Sequence, residues 1–321
     1  MAVLAGAFTA CGGDEQLEGS ITITGSSTLR PTISAVSGRF AVANPLVTFD
    51  VDAPGTADGF TLFCDGLADI NGASRPITER ELLNCETTGV EFVELTIGLD
   101  AIVLLTSVGD DQVACLSTEQ TYALTGPESR SISTWEGVGA LAAEITGSPS
   151  AAGPVLPGGP VTVVGPGNES GTLSTFIDLA VRPLAVERDT AVNVRPDWSA
   201  QPSDALIVNK VITGDNTVGV IGFTALPRQL DIIKTVAIDA GDGCVEAGEA
   251  TISDGSYPLT RELYLYVAVD ANGEADPTVA GLVDYMISDE GIGYATAAGG
   301  SAPSEQAIAE TRATWAARTS R

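Results

Sequence analysis

Four short turns hold the residues of this chain best suited to chemistry. They are Gly25-Ser26-Ser27-Thr28, Gly55-Thr56-Ala57-Asp58-Gly59, Ala73-Ser74-Arg75 and Glu169-Ser170-Gly171-Thr172, each between an apolar stretch and a segment that reads as a helix. A helix N-terminus leaves backbone N–H groups unpaired and carries about half a positive charge, so it attracts anions. Serine and threonine hydroxyls rotate to donate, glycine lets the backbone approach closely, and arginine offers a forked, charge-assisted contact. One such turn is ordinary helix capping. Four on one chain, one of them with an arginine, point to a cage for a small oxyanion.

The elements that must carry these turns follow from periodicity. Ile21-Thr22-Ile23-Thr24 alternates as a strand, and Leu29, Ile33, Val36 and Phe40 then mark a helical stripe with Pro31 in its first turn. Val47–Val51 reads as a second strand, Phe60, Phe63 and Leu67 as a second helix, and Ala68-Asp69-Ile70 as a short strand before a helix near Thr78–Leu83. Phe92–Thr106 reads as strand, break and strand. Gly147–Pro160 is a surface loop by composition, and Val161–Val164 is a strand feeding the fourth turn and a helix through Phe176 and Leu179. Val218–Phe223 and Leu263–Val267 are later strands, and helices are expected near Val279–Ile287 and Ser304–Ala316. Strands alternating with helices predict an α/β fold with mostly parallel sheets, whose ligands sit at the carboxyl ends of the strands, where the turns are.

Composition narrows the function. The 321 residues carry a formal net charge of -27, with Lys210 and Lys234 as the only lysines, which argues against nucleic acid as a partner. An anion bound to so acidic a chain is held by local dipoles and hydrogen bonds against long-range repulsion. Histidine is absent, and with it the usual general base and the commonest metal ligand; no cofactor is expected.

Met1–Cys11 is small and apolar and looks like the end of a bacterial lipoprotein signal peptide, with Cys11 as the lipidated residue and residues 12–20 as a tether. The alternative is a frayed terminus with a chance cysteine. Cys64, Cys85, Cys115 and Cys244 form an even set, as in an exported protein, and allow three pairings. Proximity favours Cys64–Cys85, which leaves Cys115–Cys244.

The stretches Thr24–Thr28, Gly59–Gly66, Asp69–Ile77, Gly165–Thr172, Ile221-Gly222-Phe223 and Asp254–Leu259 occur in an order that resembles the phosphate-binding lipoprotein family of bacterial Pst-type ABC transporters. The resemblance runs from about residue 20 to about 270. It implies the two-lobed type II solute-binding fold, with residues 20–100 plus 258–321 in one lobe and 101–257 in the other, hinged near Leu99–Val103 and Tyr257–Tyr266. It also implies a monomer that captures inorganic phosphate, performs no catalysis and delivers its ligand to a membrane permease. The phosphate ligands carried over by motif are Ser27, Thr28, the N–H of Leu29, Thr56, Ser74, Arg75, Ser170, Gly171 and Thr172.

Two positions depart from the family pattern. Pro166 stands where some members have an arginine before the Ser-Gly-Thr turn, which leaves Arg75 as the sole basic ligand. Arg75 itself stands where some members have the aspartate that accepts the proton of hydrogen phosphate, so Asp58 and Glu169 become the replacement candidates. Taken alone, Arg75 also reads as a surface ion pair with a carboxylate such as Glu79. Sulfate or another tetrahedral oxyanion is the second ligand class. A secreted phosphohydrolase using Ser27 or Ser170, and an adhesive module that has lost its ligand, are the rival functions.

Overall fold

The computed structural model describes residues 16–109, 113–168, 170–226, 232–298 and 303–318. Cys11 and Glu169 lie outside the described residues. The first alternating run forms β1 (Glu18–Gly25), which begins before Ile21 because Glu18, Gly19 and Ser20 already pair with the next strand. There follow α1 (Arg30–Ala43), β2 (Leu46–Val51), α2 (Thr56–Cys64), β3 (Ile70–Ala73) and α3 (Glu79–Thr88). The stripe expected on α1 is its buried face: Ile33, Val36 and Phe40 are all buried. Thr78 starts α3 through a reciprocal capping box with Glu81, and Gly89 ends it in the left-handed conformation.

Residues 92–106 form no strand pair but one continuous strand, β4 (Glu91–Ser107). The expected break is a bulge: the partner strand jumps from Gly98 to Thr96, leaving Ile97 unmatched. Beyond it come β5 (Cys115–Ser117), α4 (Thr118–Thr125), α5 (Trp135–Thr146) and β6 (Thr162–Pro166). The fourth turn opens α6 (Gly171–Phe176), which continues through a π turn (Ile177–Val181) into α7 (Arg182–Glu187). Then follow β7 (Ser199–Gln201), α8 (Asp204–Thr213), β8 (Thr217–Gly222), β9 (Ile233–Asp239), β10 (Cys244–Val245) and α9 (Glu249–Ser253). The chain closes with β11 (Thr260–Val269), α10 (Pro277–Met286), α11 (Asp289–Ala297) and α12 (Glu305–Ala317).

The strands lie in the order β2-β1-β3-β11-β4-β8-β6-β7, with β9 also paired to β4 and carrying β5 and β10. Parallel pairing occurs at both flanks, β2-β1-β3 and β8-β6-β7. In the middle, β11 and β4 run antiparallel to their neighbours. The long β4 links the two flanks: Glu91–Ala101 pairs with β11, and Ile102–Leu105 pairs with β8.

Buried side chains form two large cores. One is drawn from residues 21–95 and 263–315, including Ile21, Phe40, Leu265, Leu282 and Trp315. The other is drawn from residues 101–259, including Leu104, Trp135, Phe176 and Ile221. A small aromatic cluster under α2 stacks Phe60 and Phe92 edge-on against Tyr266, at 4.8 and 5.4 Å between ring centres. Cys64 is bonded to Cys85, joining α2 to α3, and Cys115 to Cys244, tying β5 to β10 across β9. Both bonds are those expected from proximity and the remaining pair. Among the described residues no helix is long and apolar enough to cross a membrane.

Candidate functional site

Three of the four turns meet at the carboxyl ends of β1 and β3. Gly25 ends β1 at φ 120°, and a side chain there would lie 2.0 Å from the Gly72 carbonyl oxygen. Gly59 of α2 packs onto the same spot: a Cβ on it would fall 2.4 Å from the Gly25 Cα. These two glycines let α2 lie directly on the end of β1, so its N-terminus stands beside that of α1.

Neither terminus has a side-chain cap: α1 begins after Leu29, and α2 after Gly55, whose φ is 122°. The α1 turn is closed internally. The Thr28 N–H donates to Ser26 Oγ at 3.3 Å, and the Leu29 N–H, expected to be an anion ligand, donates to the Ser26 carbonyl at 3.1 Å. Thr56 and Ser74 are joined, with 3.0 Å between their hydroxyls and the Ser74 N–H donating to Thr56 Oγ1 at 3.2 Å.

The fourth turn approaches from the other core. Ser170 Oγ caps α6 by accepting the Thr172 N–H at 3.2 Å. Gly171 is pressed against Thr28: a Cβ on it would stand 3.0 Å from Thr28 Oγ1 and 3.2 Å from its Cα. From this contact a cleft of about 750 Å³ opens. Ser27, Thr28, Thr56, Asp58, Ser74 and Arg75 line one wall, and Ser174, Asp178 and Arg182 line the other. Ser170, Gly171 and Thr172 do not line the cleft; of the three, Gly171 touches the wall residue Thr28. Leu29 is buried and does not line the cleft.

Arg75 is engaged by Glu81. Its guanidinium donates twice to that carboxylate, at 2.8 Å each, donates once to the Pro76 carbonyl at 3.0 Å, and lies over the Phe60 ring. The ion pair anticipated with Glu79 forms with Glu81 instead, because the capping box turns Glu81 back toward the start of α3, where it also accepts the Thr78 N–H. Burial pushes the Glu81 carboxyl upward, but hydrogen bonds from Arg75 and Thr78 outweigh it and hold the group below the usual carboxylate range. The Arg75 guanidinium is raised chiefly by the Glu81 bond.

Arg182 and Arg261 also line the cleft, beside Arg75, which the motifs leave as the sole basic ligand. Arg261 stands on β11 opposite Asp100 of β4 and lines the same cleft. It donates to Thr28 Oγ1 at 3.2 Å and to the Thr175 hydroxyl, and lies 3.4 Å from both Asp100 and Asp178. Burial lowers its pKa, against the pull of the two carboxylates. Gly171, Thr175, Asp178 and Arg182 are spaced by four, three and four, a single helical face turned to the same place. The available signal was Asp100 inside the otherwise apolar stretch Leu99–Leu105, and Arg261 with Glu262 just ahead of Leu263–Val267. Nothing local says that the two strands pair.

Residues 12–290 match the model of the PBP superfamily domain. The chain belongs to the PBP superfamily. It is 29% identical over 291 residues to Protein SphX of Synechocystis sp., covering 90% of this chain and 80% of that protein. It is 27% identical to the phosphate-binding protein PstS of Staphylococcus saprophyticus, covering 80% and 74% respectively. Among solved structures, a "possible phosphate binding protein" from Planctomyces limnophilus superposes with a TM-score of 0.78 at 26% identity, over 94% of this chain and 99% of that one. The type II solute-binding architecture implied by the motifs is thus the fold of this superfamily member, and the relatives include the family that the motifs resemble.

Proposed function

We propose that this protein is an extracytoplasmic receptor that captures inorganic phosphate between two hinged lobes and delivers it to the permease of an ABC transporter. The lobes are the bodies built around the two large cores, and the crossovers of β4 and β11 between them serve as the hinge. The observation that carries the reading is the convergence of two uncapped helix N-termini and the Ser27, Thr28, Thr56 and Ser74 hydroxyls on one cleft, with Gly171 of the opposing turn packed against Thr28. Hydrogen bonds to charged groups contribute about 1.5–3 kcal/mol each, so several together hold a desolvated anion without surplus basic charge.

An entering phosphate oxygen replaces Ser26 and Ser170 as acceptor for the first-turn N–H groups. Arg75 stands at the rim with its charge shared with Glu81. Asp58, exposed in the first turn of α2, is the proposed acceptor for the proton of hydrogen phosphate. Sulfate lacks that proton at neutral pH and leaves the carboxylate facing an unprotonated oxygen. The two disulfides suit an oxidising compartment, and lipidation of Cys11 would keep a monomeric receptor at the membrane. Catalysis is no part of this reading, since no histidine is present to activate Ser27 or Ser170.

Calorimetric titration of the purified protein with phosphate and with sulfate tests the proposal. Tight binding of phosphate with sulfate at least a hundredfold weaker is expected. Equal binding of both would reassign the ligand to oxyanions in general, and binding of neither would overturn the receptor reading.

A further inference from the structure

Among the described residues three arginines line the cleft, and they differ in what already holds their charge. Arg75 makes the bidentate contact with Glu81 and is 37% exposed. Arg182 donates to Asp178 at 2.8 and 3.0 Å and is 54% exposed. Arg261 is only 9% exposed, yet both of its carboxylate contacts are 3.4 Å long, and its Nε is buried with no hydrogen-bond partner. A buried cation in long contacts, with a donor unused, keeps the largest remaining capacity for an anion, because its field is screened least.

Its position is as telling as its state. Arg261 is on β11, within hydrogen-bond distance of Thr28 from the first turn, and Thr28 is the residue against which Gly171 packs. The same guanidinium reaches Thr175 and Asp178 on the helical run that Gly171 begins. One side chain therefore touches groups from both walls at the point where they meet.

Resting on the phosphate reading above, we propose that Arg261 is the principal cationic ligand of the bound anion and clasps both walls around it, while Arg75 serves mainly to fix the start of α3. On binding, the guanidinium exchanges its long contacts with Asp100 and Asp178 for the anion's oxygens. Asp100 keeps the Thr175 hydroxyl at 2.9 Å, and Asp178 keeps Arg182, so neither carboxylate is left bare.

The test is phosphate titration of the full chain carrying Arg261→Gln, Arg261→Lys or Arg75→Gln, each checked for native folding by near-UV circular dichroism. Arg261→Gln is expected to lose at least a hundredfold in affinity, Arg261→Lys to recover part of it, and Arg75→Gln to lose less than tenfold. A second readout needs no substitution in the protein observed: the side-chain Nε–H resonance of Arg261, assigned by its absence in Arg261→Lys, should shift and exchange more slowly when phosphate is added. Phosphate affinity within threefold of the parent in folded Arg261→Gln, or an Nε–H signal indifferent to phosphate, would overturn the inference and leave the receptor reading standing. If the parent protein binds neither phosphate nor sulfate, it is the receptor reading that fails.

Discussion

Replacing Gly171 with alanine adds one methyl group at the point where the two walls of the cleft touch. The structure fixes where that methyl goes: 3.0 Å from Thr28 Oγ1, 3.2 Å from Thr28 Cα and 3.3 Å from Thr28 N. Ordinary contact begins near 3.4 Å, and two of these neighbours are backbone atoms that cannot swing away. Overpacking of this kind costs about 1–3 kcal/mol. Gly171 is the first residue of α6, where alanine is the better helix former by up to about 1 kcal/mol. The two effects therefore fall on different states. If the proposed hinge holds the walls apart without ligand, the ligand-free protein escapes the clash and should melt at the same temperature or slightly higher. The closed, loaded protein bears the clash, so phosphate affinity should fall by about five- to 150-fold, the same 1–3 kcal/mol read as a binding constant. Calorimetric titration of Gly171→Ala beside its ligand-free melting curve measures both. An unchanged affinity would mean that the contact with Thr28 is not part of the loaded state. A large drop in ligand-free stability would mean that the two walls do not separate without ligand. Either result refutes the reasoning.

The disulfides offer a second measurement. The sequence separations are 21 and 129 residues, for which loop-closure entropy gives about 3 and about 5 kcal/mol, so the Cys115→Ala/Cys244→Ala protein should be destabilised more than Cys64→Ala/Cys85→Ala in urea unfolding. Acid stability gives a third. Arg195 holds the Asp197 carboxyl down to about 2 through paired hydrogen bonds. A folded-state value below the unfolded one stabilises the protein above the ordinary carboxylate range, and that stability disappears as pH falls toward 2. Asp197→Asn should therefore flatten the stability profile between about pH 4 and 2, while an unaltered profile would show that the pair contributes nothing. Because Asp197 is half exposed, solvent screening keeps the effect small.

Much of the fold was legible because local chemistry agrees with it. The stripe of α1, the strand leading into Ser170 and the late strand around Leu263–Val267 each announce themselves by period, and the helix starts by their turns. What misled was a local irregularity with a non-local cause. Phe92–Thr106 reads as strand, break and strand, and only the register with β11 shows that Ile97 is a bulge in one unbroken strand. The partner of Arg75 has a similar cause: Glu79 is the nearer in sequence, but the capping geometry of α3 brings Glu81 to the guanidinium.

The sequence by itself determined the chemistry of the wall: small hydroxyl and glycine turns at the ends of apolar strands, a chain without histidine, and, beyond Cys11, four cysteines of which two lie close together. Those properties reside in single residues and short spacings. Only the tertiary structure decided which charges meet in the cleft. Arg261 and Asp100 are separated by 161 residues and come opposite each other because β11 and β4 pair antiparallel, and Thr28 meets Gly171 because the two cores approach there. An electrostatic contact depends on distance in space, and the distance between remote residues is set by strand register and packing, which no local pattern encodes.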